Sequence, residues 1–220
     1  MGNNIFITRR GGGPGSHTIT LTSLIPSGTE TITYTGTANG TVNIVNGTGS
    51  VLLQSGTYTF TSSDTCWTSG TTAVTGDISI NCWYGTPIYW YGNMLDSGGW
   101  YKGNSSMNYD VQSNRIGVSS GANNTNRHLR TINTYDFTTF SYLRGFFEYV
   151  GSSTSNSAYI GYGTTANAGY NYVIQAVRNA GGSPAQILGI SLEQHPTAAY
   201  LYFGNNAATT RGYLYALWLD

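Results

Sequence analysis

Alternation of polar and apolar positions dominates this chain. From His17 to about Thr86, threonines interleave with apolar residues: HTITLTSL sets Ile19 and Leu21 on one face, and TETITYT does the same for Ile32 and Tyr34. TVNIVN, SVLLQ, GTYTFTSS and GDISINCWY follow, separated by turns rich in Gly, Ser and Asn. Period-two alternation of this kind marks half-buried antiparallel strands, and strands recurring roughly every ten residues predict a small β-sandwich. Beyond Pro87 come IYWYG, SMNYDV, NRIGVSS, HLRTINTY, YLRGFFEYV, AYIGYG, YNYVIQAVRN, QILGISLEQ, AYLYFG and RGYLYALWLD, many of them apolar or aromatic on both faces. About ten such strands in this stretch fit a jelly roll. No segment shows a capped 3.6-residue period; YVIQAVRNAGG comes nearest and is too β-branched and aromatic for a helix. The chain therefore reads as all-β, with a small antiparallel β-sandwich over residues 17–86 and a larger jelly-roll β-sandwich over residues 87–220.

Residues 1–16 stand apart. Ile5, Phe6 and Ile7 form a short apolar stretch, followed by Arg9, Arg10 and the run GGGPG. With no core of its own, this stretch is expected to be a flexible docking arm. Its apolar residues would add a strand to a partner sheet while the two arginines pair with that partner's acids.

Composition narrows the function classes. Only 8% of the residues are charged, and the formal net charge is zero. Gly, Thr, Ser and Asn make up nearly half of the chain, so solubility must come from hydroxyls and amides. The 39% of apolar and 14% of aromatic residues are enough for a packed core, against disorder. No basic cluster suggests nucleic acid, and no apolar run suggests membrane insertion. The N-terminus has no apolar h-region, so no secretory signal is expected.

Certain motifs carry a family likeness. QSGTYTFTS (Gln54–Ser62), with Trp67 and the strand Asp77–Asn81 after it, resembles small PEGA-like or Ig-like modules, which share a G-x-Y-x-F strand after a turn. In the second part, YWYGNMLDSGGW opens on an aromatic strand and a Gly98-Gly99-Trp100 turn. TINTYDFTTFSYLRGFFEYV then caps a turn with Asp136-Phe137-Thr138 and offers Phe140, Leu143 and Phe146 to the core. ISLEQHPTAAYLYFGNN leads into RGYLYALWLD. This suite resembles the C-terminal β-sandwich domains of phage and prophage virion structural proteins, and the ITRRGGG start is similar to short tail-region proteins. The resemblance implies a virion component without enzymatic activity, at the tail, a fibre or the capsid surface. Its implied partners are other virion proteins, further copies of itself and a host cell-surface glycan. A capsid decoration or head-fibre protein, and a free carbohydrate-binding module, are the alternatives.

A search for catalytic chemistry returns little. His17, His128 and His195 are far apart in sequence and lack a nucleophile motif such as GxSxG. A glycosidase needs two carboxylates flanking its sugar, but Asp64, Asp96 and Asp136 read as turn residues. Glu148, inside GFFEYV, shares a strand face with Arg144 and is expected to pair with it. GGGPG lacks the Lys-Ser/Thr of a phosphate loop, and no Asp-rich calcium loop is present. Cys66 and Cys82 alone cannot make a zinc site, and spacing leaves open whether they are bonded. No cofactor or metal is expected. The N-x-S/T matches at Asn39, Asn46, Asn104 and Asn123 read as turns in the absence of a secretory signal. What remains are aromatics near turns: Trp83, Trp90, Trp100, Tyr101 and Tyr162. Trp100, Tyr101 and Lys102 with Asn104 form the best local cluster for a glycan or a partner, against the alternative that Trp90 and Trp100 fill the core.

Overall fold

The computed structural model describes residues 15–25, 28–65, 67–96, 98–102, 107–120, 128–150, 158–165, 172–175, 185–192, 194–205 and 211–220. Every regular element among them is a β-strand, and the chain divides into two compact units, residues 1–83 and 84–220. Ile5, Phe6, Ile7, Arg9 and Arg10 of the expected arm lie outside the described residues, as do Cys66, Asn104 and Asn123.

The first unit contains β1 (Ser16–Thr22), β2 (Thr29–Gly36), β3 (Gly40–Val45), β4 (Thr48–Gln54), β5 (Gly56–Ser62), β6 (Thr68–Val74) and β7 (Ile78–Asn81). They run in the order β6-β5-β2-β3-β4-β1-β7. Only the β1–β7 pair is parallel. β3 and β4 share the single pair Val45↔Thr48, which closes a two-residue turn of Asn46 (φ 51°) and Gly47 (φ 87°). Positive φ at both central residues is what a hairpin turn of the primed type needs, and Asn-Gly supplies it. The path thus folds at this hairpin into two leaves. Ile32, Val42, Ile44 and Phe60 are buried on one leaf, and Ile19, Leu21 and Leu53 on the other. Within one unit these faces can cover only each other, which gives the small β-sandwich that the alternation predicts.

One carboxylate is buried in this unit. Glu30 accepts hydrogen bonds from the hydroxyls of Ser23, Ser62 (2.5 Å) and Thr65 (3.0 Å), and Ser62 Oγ also accepts from the Thr65 N–H at 3.1 Å. Nearby Cys82 is a buried free thiol, its pKa pushed up to about 12 by burial and then by the charge of Glu30. It is inert as a nucleophile there.

The second unit contains β8 (Thr86–Trp90), β9 (Asn93–Met94), β10 (Trp100–Lys102), β11 (Met107–Val111), β12 (Ile116–Ser120) and β13 (His128–Thr131). After these come β14 (Tyr142–Val150), β15 (Ala158–Gly163), β16 (Tyr172–Gln175), β17 (Gln186–Ser191), β18 (Tyr200–Asn205) and β19 (Arg211–Leu219). The last eight strands run β12-β19-β14-β17 in one sheet and β13-β18-β15-β16 in the other, which is jelly-roll order. β11 extends the first sheet, β10 extends the second, and β8 and β12 lie end to end along one side of β19. Pro87 falls inside β8 rather than at the division between the units. It sits at a register shift opposite Trp218, a position that tolerates a missing N–H.

Leu129, Ile160, Leu201 and Phe203 of the five-stranded sheet pack against Val118, Phe147, Tyr149 and Leu214 of the seven-stranded one. Leu143 joins this core and Phe140 packs at its margin, as expected, but Phe146 does not. Strict alternation along β14 turns Leu143, Phe147 and Tyr149 inward, so Phe146 points to the outer face.

The Glu30 cluster carries a stability test. Ser62→Ala leaves a buried carboxylate short of a donor and is expected to cost about 1–3 kcal/mol. Urea unfolding of the full chain measures this, and an unchanged midpoint would show that the hydroxyl is dispensable.

Candidate functional site

The outer face of the seven-stranded sheet gathers six of the described charged residues: Asp110, Arg115, Arg144, Glu148, Arg211 and Asp220. Its focus is a β-bulge: Phe146 pairs with Ala216 but Phe147 with Leu214, so Tyr215 is an extra residue on β19. A bulge reverses the facing of the residues beyond it. Tyr213 and Tyr215 therefore share the outer face with Trp218 and Asp220, while Leu214, Leu217 and Leu219 turn inward.

Around the bulge lies a closed set of hydrogen bonds. Arg115 Nη1 donates to Glu148 Oε1 at 3.0 Å and to the Tyr215 hydroxyl at 2.7 Å, and that hydroxyl donates to the same carboxylate oxygen at 2.6 Å. The guanidinium lies over the Tyr213 ring at 3.8 Å. Its Nε donates to Gln112 at 2.7 Å, and Gln112 donates to Asp110 at 3.0 Å. Asp110 in turn faces Arg211 at 3.7 Å. Burial, then the bond to Glu148, pushes the Tyr215 hydroxyl up to about 12, so it stays a donor at neutral pH. The β11–β12 hairpin turn carries Gln112 and Arg115, and Gly117 beyond it leaves room for the Tyr213 ring, which a Cβ would approach to 2.9 Å.

Aromatic rings continue this face toward the end of β19. Tyr215 meets Phe146 at 5.2 Å, Phe146 meets Tyr91 at 6.3 Å, and Tyr91 meets Trp90 at 5.6 Å. Trp90 meets Trp218 at 6.1 Å, and Trp218 stacks on Tyr84 at 5.2 Å. Tyr91 has a positive φ of 41°, unusual for a bulky residue, and is held by its N–H bond to the Tyr215 carbonyl at 2.6 Å. Beside the last rings, Arg144 Nε donates to Asp220 Oδ2 at 2.8 Å. All three ion pairs among the described residues thus lie on one face.

The expected Glu148–Arg144 pair is replaced by Glu148–Arg115 and Arg144–Asp220. The two residues do share a face, but four residues of strand separate them by about 13 Å. Partners had to come from neighbouring strands. The expected cluster at Trp100 also divides. Trp100 packs on the core and edge-on to Tyr89 at 5.8 Å, whereas Tyr101 points the other way and is half exposed. Lys102 shares the parity of Trp100. Trp90 and Tyr162 are buried, and the Trp83 carbonyl accepts from the Trp67 indole at 3.1 Å.

On the outer side of the five-stranded sheet, the Arg130 guanidinium lies between the rings of Tyr101 (4.5 Å) and Tyr200 (4.3 Å). His128 packs edge-on to Tyr202 at 4.8 Å. Burial, then the charge of Arg130, lowers the His128 pKa to about 4. His17 hydrogen-bonds Ser55, and His195 the Phe137 carbonyl. Asp96 and Asp136 make the turn bonds expected of them, to the N–H groups of Gly98 and Thr138, while Asp64 accepts from the Thr31 N–H across strands. Asn39 accepts from the Gly36 N–H, a turn bond as well.

No family model and no curated protein matches the chain. Among solved structures, a mutant of a family 29 carbohydrate-binding module complexed with cellulohexaose overlaps at TM-score 0.43 and 8% identity, covering 60% of this chain and 87% of that one. The secreted serine protease VesC from Vibrio cholerae overlaps at 0.36 and 10% identity, covering 94% of this chain and 48% of that one. A DUF3823 family protein from Bacteroides ovatus overlaps at 0.25 and 12% identity, covering 91% and 96%. Scores and identities this low carry neither a function nor a ligand across.

His128 supplies a pH test. Its side chain takes a proton near pH 6.5 in the unfolded chain and only near 4 in the folded one. Between those values the unfolded state binds more protons, so stability falls as the pH falls. Asp96, held low by bonds from Tyr135 and Gly98 against the opposing effect of burial, loses its contribution only below the ordinary carboxylate range. Unfolding midpoints measured from pH 7 to 4.5 are therefore expected to drop, and His128→Gln to flatten the slope. An equally steep slope in the variant would assign the effect elsewhere.

Proposed function

We propose that this chain is a non-enzymatic attachment protein whose jelly roll binds a glycan through the outer face of the seven-stranded sheet. The observation that carries the reading is the concentration of all three described ion pairs on that face, beside the half-buried rings of Phe146, Tyr215 and Tyr84. The Tyr91, Trp90 and Trp218 rings that link them are buried and hold them in place. Sugars present apolar C–H faces beside hydroxyls that donate and accept. The half-buried rings of Phe146, Tyr215 and Tyr84 match the first, and fixed Arg, Asp, Glu and Gln groups match the second. Because each acid on the face is held by an arginine, the face suits hydrogen bonding better than proton transfer. The sequence resemblance supports placing the protein on a phage particle, as a tail, fibre or capsid-surface component. A free carbohydrate-binding module shares the same binding face.

A glycan array probed with the full chain tests the binding. Against the best array ligand, Arg115→Ala is expected to weaken affinity about ten-fold or more, the effect of losing a charged hydrogen-bond donor. Tyr101→Ala, on the opposite sheet, is expected to bind as the parent does. An array with no ligand, or a loss with Tyr101→Ala alone, would overturn the assignment of the face. Quantitative mass spectrometry of purified phage particles tests the setting, and absence of the chain from them would leave the free module.

A further inference from the structure

The aromatic run ends in a cavity of about 260 Å3 lined by Tyr84, Gly85, Arg144, Ile187, Trp218 and Asp220. The half-buried Tyr84 ring contributes most of its aromatic lining, stacked with planes 25° apart on Trp218, which is itself only 2% exposed. One wall is bare peptide. Gly85 has φ +45°, and a Cβ there would stand 2.3 Å from the Leu219 carbonyl and 2.7 Å from the Trp218 ring. Another wall is Ile187, a large apolar side chain left 43% exposed. Arg144, on the strand between those of Trp218 and Ile187, and Asp220 complete the lining, bonded at 2.8 Å yet still 34% and 49% exposed.

The polar pair sets the ligand chemistry. Arg144 only donates and the Asp220 carboxylate only accepts, at the spacing of a single hydrogen bond. Two adjacent hydroxyls on a sugar ring, each able to donate and accept, match such a pair. An acidic sugar does not, because attraction to Arg144 is offset by repulsion from Asp220. The cavity is also smaller than the roughly 300–1,000 Å3 of pockets for drug-sized ligands, so it has room for one ring.

We propose that this cavity is a subsite for a single neutral pyranose bearing adjacent free hydroxyls, taken as the end or a branch of the glycan bound along the face. This rests on the glycan-binding reading above. The test titrates the full chain with the methyl pyranosides of glucose, galactose and mannose, and with glucuronic and sialic acids. Saturation transfer from the aromatic protons of the protein reports binding. At least one neutral pyranoside is expected to bind at millimolar concentration, with both acids weaker. Asp220→Asn is expected to weaken that binding about ten-fold. Ile187→Trp, which changes an exposed side chain and fills the cavity, is expected to abolish it with the melting temperature kept. Absence of any neutral binder, stronger binding of an acid, or unchanged affinity in Ile187→Trp would overturn the subsite. If array glycans bind while no pyranoside does, the subsite alone fails; if neither binds, the reading of the face fails with it.

Discussion

The extra residue at Tyr215 is the constraint on which the outer face depends. Without it, β19 would keep strict alternation, and the positions that follow Tyr213 and Tyr215 on the outer face would be Leu217 and Leu219. The insertion reverses the facing once, so those leucines go to the core and Trp218 and Asp220 turn to the outer side, where Trp218 is buried against Tyr84 and Trp90. The same step frees the Tyr215 carbonyl for the Tyr91 N–H, fixing Tyr91 at its positive φ, and places the Tyr215 hydroxyl between Arg115 and Glu148. One irregularity thereby joins the charged cluster to the aromatic run.

The two units deal with their few charges differently. In the first sandwich, Glu30 is buried without a described cation and is satisfied by three hydroxyls. In the jelly roll, charges sit on the sheet surface and pair between strands. Arg130 is stacked between two tyrosines, and His128 is kept neutral by burial and by that neighbouring arginine. A chain with 8% charged residues has little electrostatic redundancy, so each of these groups has a specific local partner.

The fold was legible because period-two alternation is written residue by residue: Ile19, Leu21 and Ile32 are buried as their pattern says. Strand order was not, since the pairing of β12 with β19 or β13 with β18 joins segments far apart in sequence. The binding face was legible only in part. The alternation of YLRGFFEYV does put Arg144 and Glu148 on one side, and it should have put Phe146 there too. Their partners Arg115 and Asp220 come from a hairpin turn and a strand end that no local pattern links to them. A bulge leaves no mark on a period-two pattern, so the sequence does not group Tyr213, Tyr215 and Trp218 on one side. Trp100 lies beside a Gly-Gly turn that suggests an exposed ring, but its strand parity directs it inward against the core.

Hydrogen–deuterium exchange of the full chain, with and without the strongest array glycan, tests the face most directly. The expected result is added protection in Tyr142–Val150 and Arg211–Leu219, with no change in Trp100–Lys102 or His128–Thr131. Protection confined to the five-stranded sheet would contradict the account.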